Sequence, residues 1–114
     1  MHELSIAQNI FDIIMRNIDE GRVTGKIISI SLRVGKMTTV IPENLRFMFE
    51  VLTSDTPLKH TKLEIEHIPI QGKCNHCGLE FQIESIGFQC PQCNSDDVQI
   101  TSGRELEIES VEVE

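Results

Sequence analysis

The four cysteines of this chain stand in two pairs, Cys74-Asn75-His76-Cys77 and Cys90-Pro91-Gln92-Cys93, with twelve residues between the pairs. Two thiolates three positions apart on a tight turn can both reach one ion, and a second such pair completes a tetrahedron. Gly78 follows the first pair and permits positive φ after the turn, while Pro91 pre-sets the turn of the second. The spacing therefore predicts a four-thiolate site, Cys74, Cys77, Cys90 and Cys93, holding structural zinc, with iron as the alternative ion during overexpression. A disulfide framework would need an oxidising compartment, and the opening Met1-His2-Glu3-Leu4 lacks the basic segment of an export signal. A redox Cys-x-x-Cys is a single pair rather than two matched ones. The expectation is a cytoplasmic protein whose cysteines are metal ligands.

A length of 114 residues allows one modest core and one satellite unit. Residues 70–101 hold few large apolar side chains: Leu79, Phe81, Ile83, Ile86, Phe88, Val98 and Ile100. So small a set cannot stabilise a fold alone, and metal binding must supply much of the folding energy. The net charge of −8, with ten Lys and Arg scattered along the chain, argues against nucleic-acid binding, which needs clustered cations against phosphate. No apolar run approaches the length of a membrane span.

Leu4, Ala7, Phe11, Ile14 and Ile18 step by three and four, with Ile6, Ile10 and Ile13 widening the face, and predict a helix that stops near Gly21. From Lys26 to Val34, Ile28, Ile30, Leu32 and Val34 alternate with Ser29, Ser31 and Arg33, the pattern of a strand ended by Gly35. Pro42 suits the first position of a second helix carrying Leu45, Met48, Phe49 and Leu52, which ends before Asp55-Thr56-Pro57. Leu63, Ile65 and His67 share one face of another strand. In the acidic tail Leu106 and Ile108 alternate cleanly, and the phase slips at Ser110-Val111, which suggests a bulge or a strand end. The tail's glutamates read as a solvated sheet face. The predicted fold is α+β: two helices packed on a small three-stranded mixed sheet, with an inserted four-cysteine zinc-ribbon domain. Residues 1–69 and 102–114 form the α/β domain and 70–101 the zinc-binding one, tied by connections near Pro69-Ile70 and Thr101-Ser102-Gly103.

The N-terminus offers a second chelating set. The α-amine of Met1, the amide nitrogen of His2 and the His2 Nδ1 can close adjacent five- and six-membered rings on one ion once that amide is deprotonated. Ni²⁺ and Cu²⁺ promote this and accept square-planar nitrogen donors. Glu3 could add its amide or its carboxylate. A histidine here is also an ordinary exposed residue ahead of a helix, and the residues alone leave both readings open.

Taken together, Met1-His2-Glu3-Leu4-Ser5, Arg33-Val34-Gly35, Pro42-Glu43-Asn44-Leu45-Arg46-Phe47, Leu63-Glu64-Ile65-Glu66 and the paired cysteines resemble the HypA/HybF family of hydrogenase-maturation nickel metallochaperones over essentially the whole chain. The resemblance implies a nickel domain built on the first helix and the sheet, with nickel bound through His2 and with Met1 and Glu3 as neighbours in ligation or docking. It implies nickel as transferred cargo, beside the structural zinc. The partners it implies are a HypB-type GTPase and the [NiFe]-hydrogenase large-subunit precursor, with urease maturation served by some members. Some relatives carry a histidine after the second cysteine of each pair. Here those positions are Gly78 and Asn94, and His76 lies inside the first pair, which argues against a zinc-ligand switch. His67 reads as a packed or strand-end residue and His60 as a solvated loop residue.

Two other classes stand beside this one. A zinc-ribbon adaptor that binds only protein would share the fold and lack a specific nickel site. An enzyme is disfavoured, since no Ser/His/Asp set, open metal position or Gly-rich phosphate loop can be pointed out. Exposed edge strands are compatible with a monomer or a homodimer.

Overall fold

The computed structural model describes residues 3–84 and 88–114. Helix α1, Glu3–Asp19, forms because Ile6, Ala7, Ile10 and Ile14 recur on one stripe and are buried together, with Phe11, Met15 and Ile18 partly covered beside them. It ends at the expected glycine, where the Arg22 N–H turns back to the Asn17 carbonyl at 2.9 Å. Two residues expected on the covered face fall outside it: Leu4 is 52% exposed and Ile13 42%. The helix's apolar face is wider than the three strands beneath it can cover.

Strand β1, Ile27–Gly35, is the centre of the first sheet. Strand β2, Lys62–Ile68, runs parallel to it, and β6, Leu106–Val113, antiparallel, in the order β2-β1-β6. Parallel neighbours need a crossover, and helix α2, Pro42–Thr53, supplies it, with proline in its first turn as expected. Leu45 and Phe49 of α2 join Ile30, Leu32 and Val34 of β1 and the α1 stripe in one core, so both helices cover the same face. Val40 and Leu58, which lie on no periodic stripe, complete that core from the loops flanking α2. The hydroxyls buried with it are satisfied: Thr53 Oγ1 donates to the Phe49 carbonyl at 2.7 Å and Thr61 Oγ1 to that of Ile27 at 2.8 Å.

The β1–β6 ladder slips twice. Ser31 faces Ser110 but Leu32 faces Ile108, so Glu109 is an extra residue, the bulge foreshadowed by the phase slip in the tail. It leaves Ile108 and Val111, three positions apart, both packed against the core. The second slip lies between Ile27 and Ser29 and corrects the strict alternation expected of β1: Ile28 is bulged out and 39% exposed, while Ile27 is buried in its place. The alternation expected of β2 also breaks at its end, where His67 is exposed and Ile68 buried. On the uncovered face Arg33 bonds Glu107 at 2.9 Å and Glu66 at 3.5 Å.

Between β2 and β6 the chain builds a second sheet from β3 (Gln71–Cys74), β4 (Glu80–Gln82) and β5 (Val98–Ser102), antiparallel in the order β4-β3-β5. Its two connections to the first sheet touch: Ser102 Oγ donates to the Pro69 carbonyl at 2.9 Å. The returning chain is then fastened to the end of β1, with the Gly35 N–H on the Glu105 carbonyl at 2.7 Å and the Met37 N–H on that of Gly103 at 2.8 Å. Gly35 allows this approach, because a side-chain carbon there would press into the Gly103 carbonyl.

Candidate metal centre

The two Cys-x-x-Cys segments fold as near copies of each other. In the first, the Gly78 N–H returns to the Cys74 carbonyl at 2.9 Å and the Cys74 N–H reaches the Leu79 carbonyl at 2.9 Å. In the second, Asn94 returns to Cys90 at 2.9 Å and the Cys90 N–H reaches Ser95 at 2.8 Å. Both turns close through a left-handed residue, Gly78 at φ 80° and Asn94 at φ 61°. Asparagine is the side chain that best tolerates that region after glycine, so Asn94 was a readable signal that sequence reasoning passed over. Asn75 binds the turns together, its N–H on the Asp97 carbonyl at 2.9 Å and its Nδ2 on Asp97 Oδ1 at 3.1 Å.

These turns bring the four expected sulfurs together. Cys74 and Cys93 lie 3.5 Å apart, Cys77 and Cys90 also 3.5 Å, and all four within 4.8 Å of one another. A tetrahedron with metal–sulfur bonds of about 2.3 Å has sulfurs roughly 3.8 Å apart, so the set fits a zinc-sized ion. Backbone N–H groups point at the sulfurs that start each pair: His76 and Cys77 at 3.3 and 3.4 Å from Cys74 Sγ, and Gln92 at 3.4 Å from Cys90 Sγ.

The thiols do not share one acidity. The Cys77 N–H, against burial and with help from the His76 N–H, lowers Cys74 to about 6. Burial pushes Cys90 up, but the N–H groups of Cys93 and Gln92 and the neighbouring thiols outweigh it, and Cys90 is lowered too. Cys77 moves the other way: the Leu79 N–H favours its thiolate, but burial and the Cys90 and Cys74 sulfurs raise it. Likewise the Ser95 N–H favours the Cys93 thiolate, but burial and the sulfurs of Cys74, Cys90 and Cys77 push it up to about 12. Each pair thus contains one easily ionised and one reluctant thiol. Four thiolates this close repel one another, and a cation at their centre is what lets all four ionise.

Cys74 and Cys90 are fully buried and Cys77 is exposed. With four thiolates in tetrahedral reach, a bound ion would keep no open position, the arrangement of a structural centre. Among the described residues this is the one His/Cys/Asp/Glu cluster compact enough for a metal. His60, His67 and His76 are exposed and take no part in it.

Met1 and His2, the expected nickel-binding end, lie outside the described residues. Glu3 opens α1, and its Oε1 accepts a hydrogen bond from Asn44 Nδ2 at 3.4 Å. The first turn of α1 is therefore held against the first turn of α2.

Residues 1–113 match the family described as "HypA: Hydrogenase/urease nickel incorporation, metallochaperone". The hydrogenase maturation factor HypA of Desulfatibacillum aliphaticivorans is 42% identical over 113 residues, covering 99% of this chain and 87% of its own. That of Desulfosudis oleivorans is 41% identical, covering 99% and 98%. The solution structure of the Ni metallochaperone HypA from Helicobacter pylori superposes with a TM-score of 0.65 over 99% of this chain and 97% of its own, at 22% identity. A second HypA solution structure gives 0.70 over 99% and 96%, also at 22%, and both show the same fold. With a family match across the chain and relatives above 40% identity, this chain belongs to the HypA family of hydrogenase/urease nickel-incorporation metallochaperones.

Proposed function

We propose that this protein binds Ni²⁺ at its N-terminus and hands it to the precursor of the [NiFe]-hydrogenase large subunit in the cytoplasm, working with a HypB-type GTPase. Urease maturation proteins are further candidate recipients. The observation that carries this reading is the family match reaching back to residue 1, and so over Met1-His2-Glu3. Ligands would be the Met1 amine and the His2 amide nitrogen and Nδ1, with Glu3 contributing backbone or carboxylate. A site of exposed nitrogen donors at a chain end can be approached by a second protein and gives up its ion by ligand exchange. Such donors do not by themselves prefer Ni²⁺ over Cu²⁺, so selectivity would come from the docked partner. The contact of Glu3 with Asn44 holds the start of α1, where these ligands would begin, beside α2.

Residues 1–69 and 102–114 would form the nickel domain. Residues 70–101 would form the second domain, where Cys74, Cys77, Cys90 and Cys93 hold zinc. When bound, zinc supplies folding energy and a fixed surface. The protein's part is transfer rather than catalysis of a reaction.

Calorimetric titration of Ni²⁺ into zinc-loaded protein with a free Met1 amine tests this. The comparisons are a form extended by a few residues ahead of Met1 and His2→Ala. Tight one-to-one binding lost in both comparisons supports the terminal site. Equal binding in all three moves nickel elsewhere, and no binding in any leaves a zinc-ribbon adaptor.

A further inference from the structure

Strand β6 bonds only to β1 among the described residues, so its outer edge is free. Which groups that edge presents follows from the alternation of a strand. The Glu105 carbonyl faces β1, where it accepts the Gly35 N–H at 2.7 Å. One residue further the direction reverses, so Leu106, and with it Ile108, turn their N–H and C=O groups outward. The side chains of these two residues lie on the helix side. There, with Ile6, Ile10 and Ile13 of α1, they line an apolar groove of about 440 Å³. Leu106 is 38% exposed and Ile13 42%, and these two are large apolar residues on the groove's rim.

The strand itself is strongly acidic. Residues 105–114 contain five glutamates and no Lys or Arg. Of the nearby cations, Arg33 is already shared between Glu66 and Glu107, and Arg104, exposed, stands just ahead of the strand.

We propose that the β6 edge and its groove dock an extended segment of a protein partner in which apolar and basic residues alternate. The segment adds as a fourth strand beside Leu106–Ile108. Its apolar side chains enter the groove over Ile13, and its Lys or Arg side chains lie on the opposite face above the glutamates. A second copy of β6 is the wrong occupant, because pairing two such edges would set glutamates against glutamates. The bulge at Glu109 bends the strand and confines docking to the half beside the groove. Ile6, on the groove wall, lies one helical turn from Glu3, about 4.5 Å along the axis. A docked partner that filled the groove as far as Ile6 would thus extend toward the start of α1, where the proposed nickel ligands begin. That last step draws on the nickel reading, and the surface itself does not.

The test uses full-length, zinc-loaded, nickel-free protein, so that its outcome is independent of nickel binding. The probe is an acetylated and amidated peptide of alternating valine and lysine, seven residues long, followed by amide chemical shifts. Saturable shifts are expected at Leu106 to Ile108 and along Ile10 to Ile13. Ile13→Lys and Leu106→Ser, both at partly exposed positions, should each weaken binding about tenfold. Two N-methylated peptides, blocked at the valine or at the lysine amides, should include one about tenfold weaker than the parent, the loss expected from missing interstrand hydrogen bonds. The proposal is overturned by no saturable binding or by full binding of both methylated peptides. It is equally overturned by indifference of both variants, or by shifts confined to Glu64, Glu66 and Glu112 with α1 untouched.

Discussion

The sheets β2-β1-β6 and β4-β3-β5 have three strands each and are held together by different means. The first lies under two helices, and its core gathers Ile6, Ile10, Ile14, Ile30, Leu32, Val34, Leu45 and Phe49, all buried. Burying each such side chain is worth about 1.5–3 kcal/mol, which is how a fold of this size ordinarily offsets chain entropy. Within residues 70–101, Ile83, Cys74 and Cys90 are the buried core residues among those described, and Leu79, Phe81, Phe88, Val98 and Ile100 remain partly exposed. The lesson is that hydrogen-bonded strands alone do not stabilise the second sheet. What it has in place of a core is four sulfurs within 4.8 Å of one another, a set that a metal ion would tie together.

Removing one sulfur should therefore break the comparison most visibly. In Cys90→Ser, or after metal chelation, amides of residues 71–102 should collapse toward random-coil shifts while those of α1 and α2 persist. Amide spectra with and without chelator read this directly. A chelated protein whose second sheet stays folded would refute a metal-held ribbon.

The complementary change is Phe49→Ala, at a side chain only 1% exposed. The expected loss is about 3–5 kcal/mol in urea unfolding of the helical part, with metal content unchanged. If the cysteine ribbon lost its metal as well, the two regions would be one cooperative unit rather than two.

Gly35→Ala addresses the seam. Its new carbon would press on the Gly103 carbonyl and approach the Arg104 nitrogen to 2.7 Å, where the returning chain is fastened. The cost should be about 1–3 kcal/mol, as for overpacking. Shift changes should appear on both sides of the seam, in β1 and in β5. Changes limited to β1 would mean that the connection carries no mechanical coupling.

How much of this was legible beforehand depended on whether a residue's role is local. The cysteine quartet was, because ligand spacing is a short-range property that the chain cannot escape. So were α1, α2 and the mixed sheet, since Ile10, Ile14, Leu32 and Phe49 repeat with the period of their own element. The bulges were half legible: a slip at Ser110-Val111 is visible in the pattern, but the compensating slip at Ile28 depends on which residue of β6 lies opposite. Leu4 and Ile13 were misplaced because the width of the covering sheet is a tertiary fact. Val40 and Leu58 were missed for the same reason, being loop residues without periodicity. The free edge of β6 could not be read at all, since strand order decides which edge is left unpaired.

The smallest expected effect concerns Glu105, which sits on the seam and reports on it through pH. Its Oε1 accepts the Gly103 N–H at 2.7 Å. Its own backbone N–H, against burial and with help from the Gly103 N–H and the charge of Arg33, holds its carboxyl below the ordinary range. A carboxyl depressed on folding stabilises the protein above its unfolded pKa, about 4.3, and that contribution is lost as pH falls through the folded value. Glu105→Gln should therefore cost under about 1 kcal/mol at neutral pH, because the group is partly solvated. The gap to wild type should narrow steadily below about pH 4.3. Acid also strips metal from thiolates, but it does so in both proteins, so the difference between their unfolding curves isolates the carboxylate. A gap that stays constant from neutral pH to pH 3 would place the effect in packing. The seam would then be held by Gly35, Met37 and Gly103 through their backbone bonds, without help from the charge beside them.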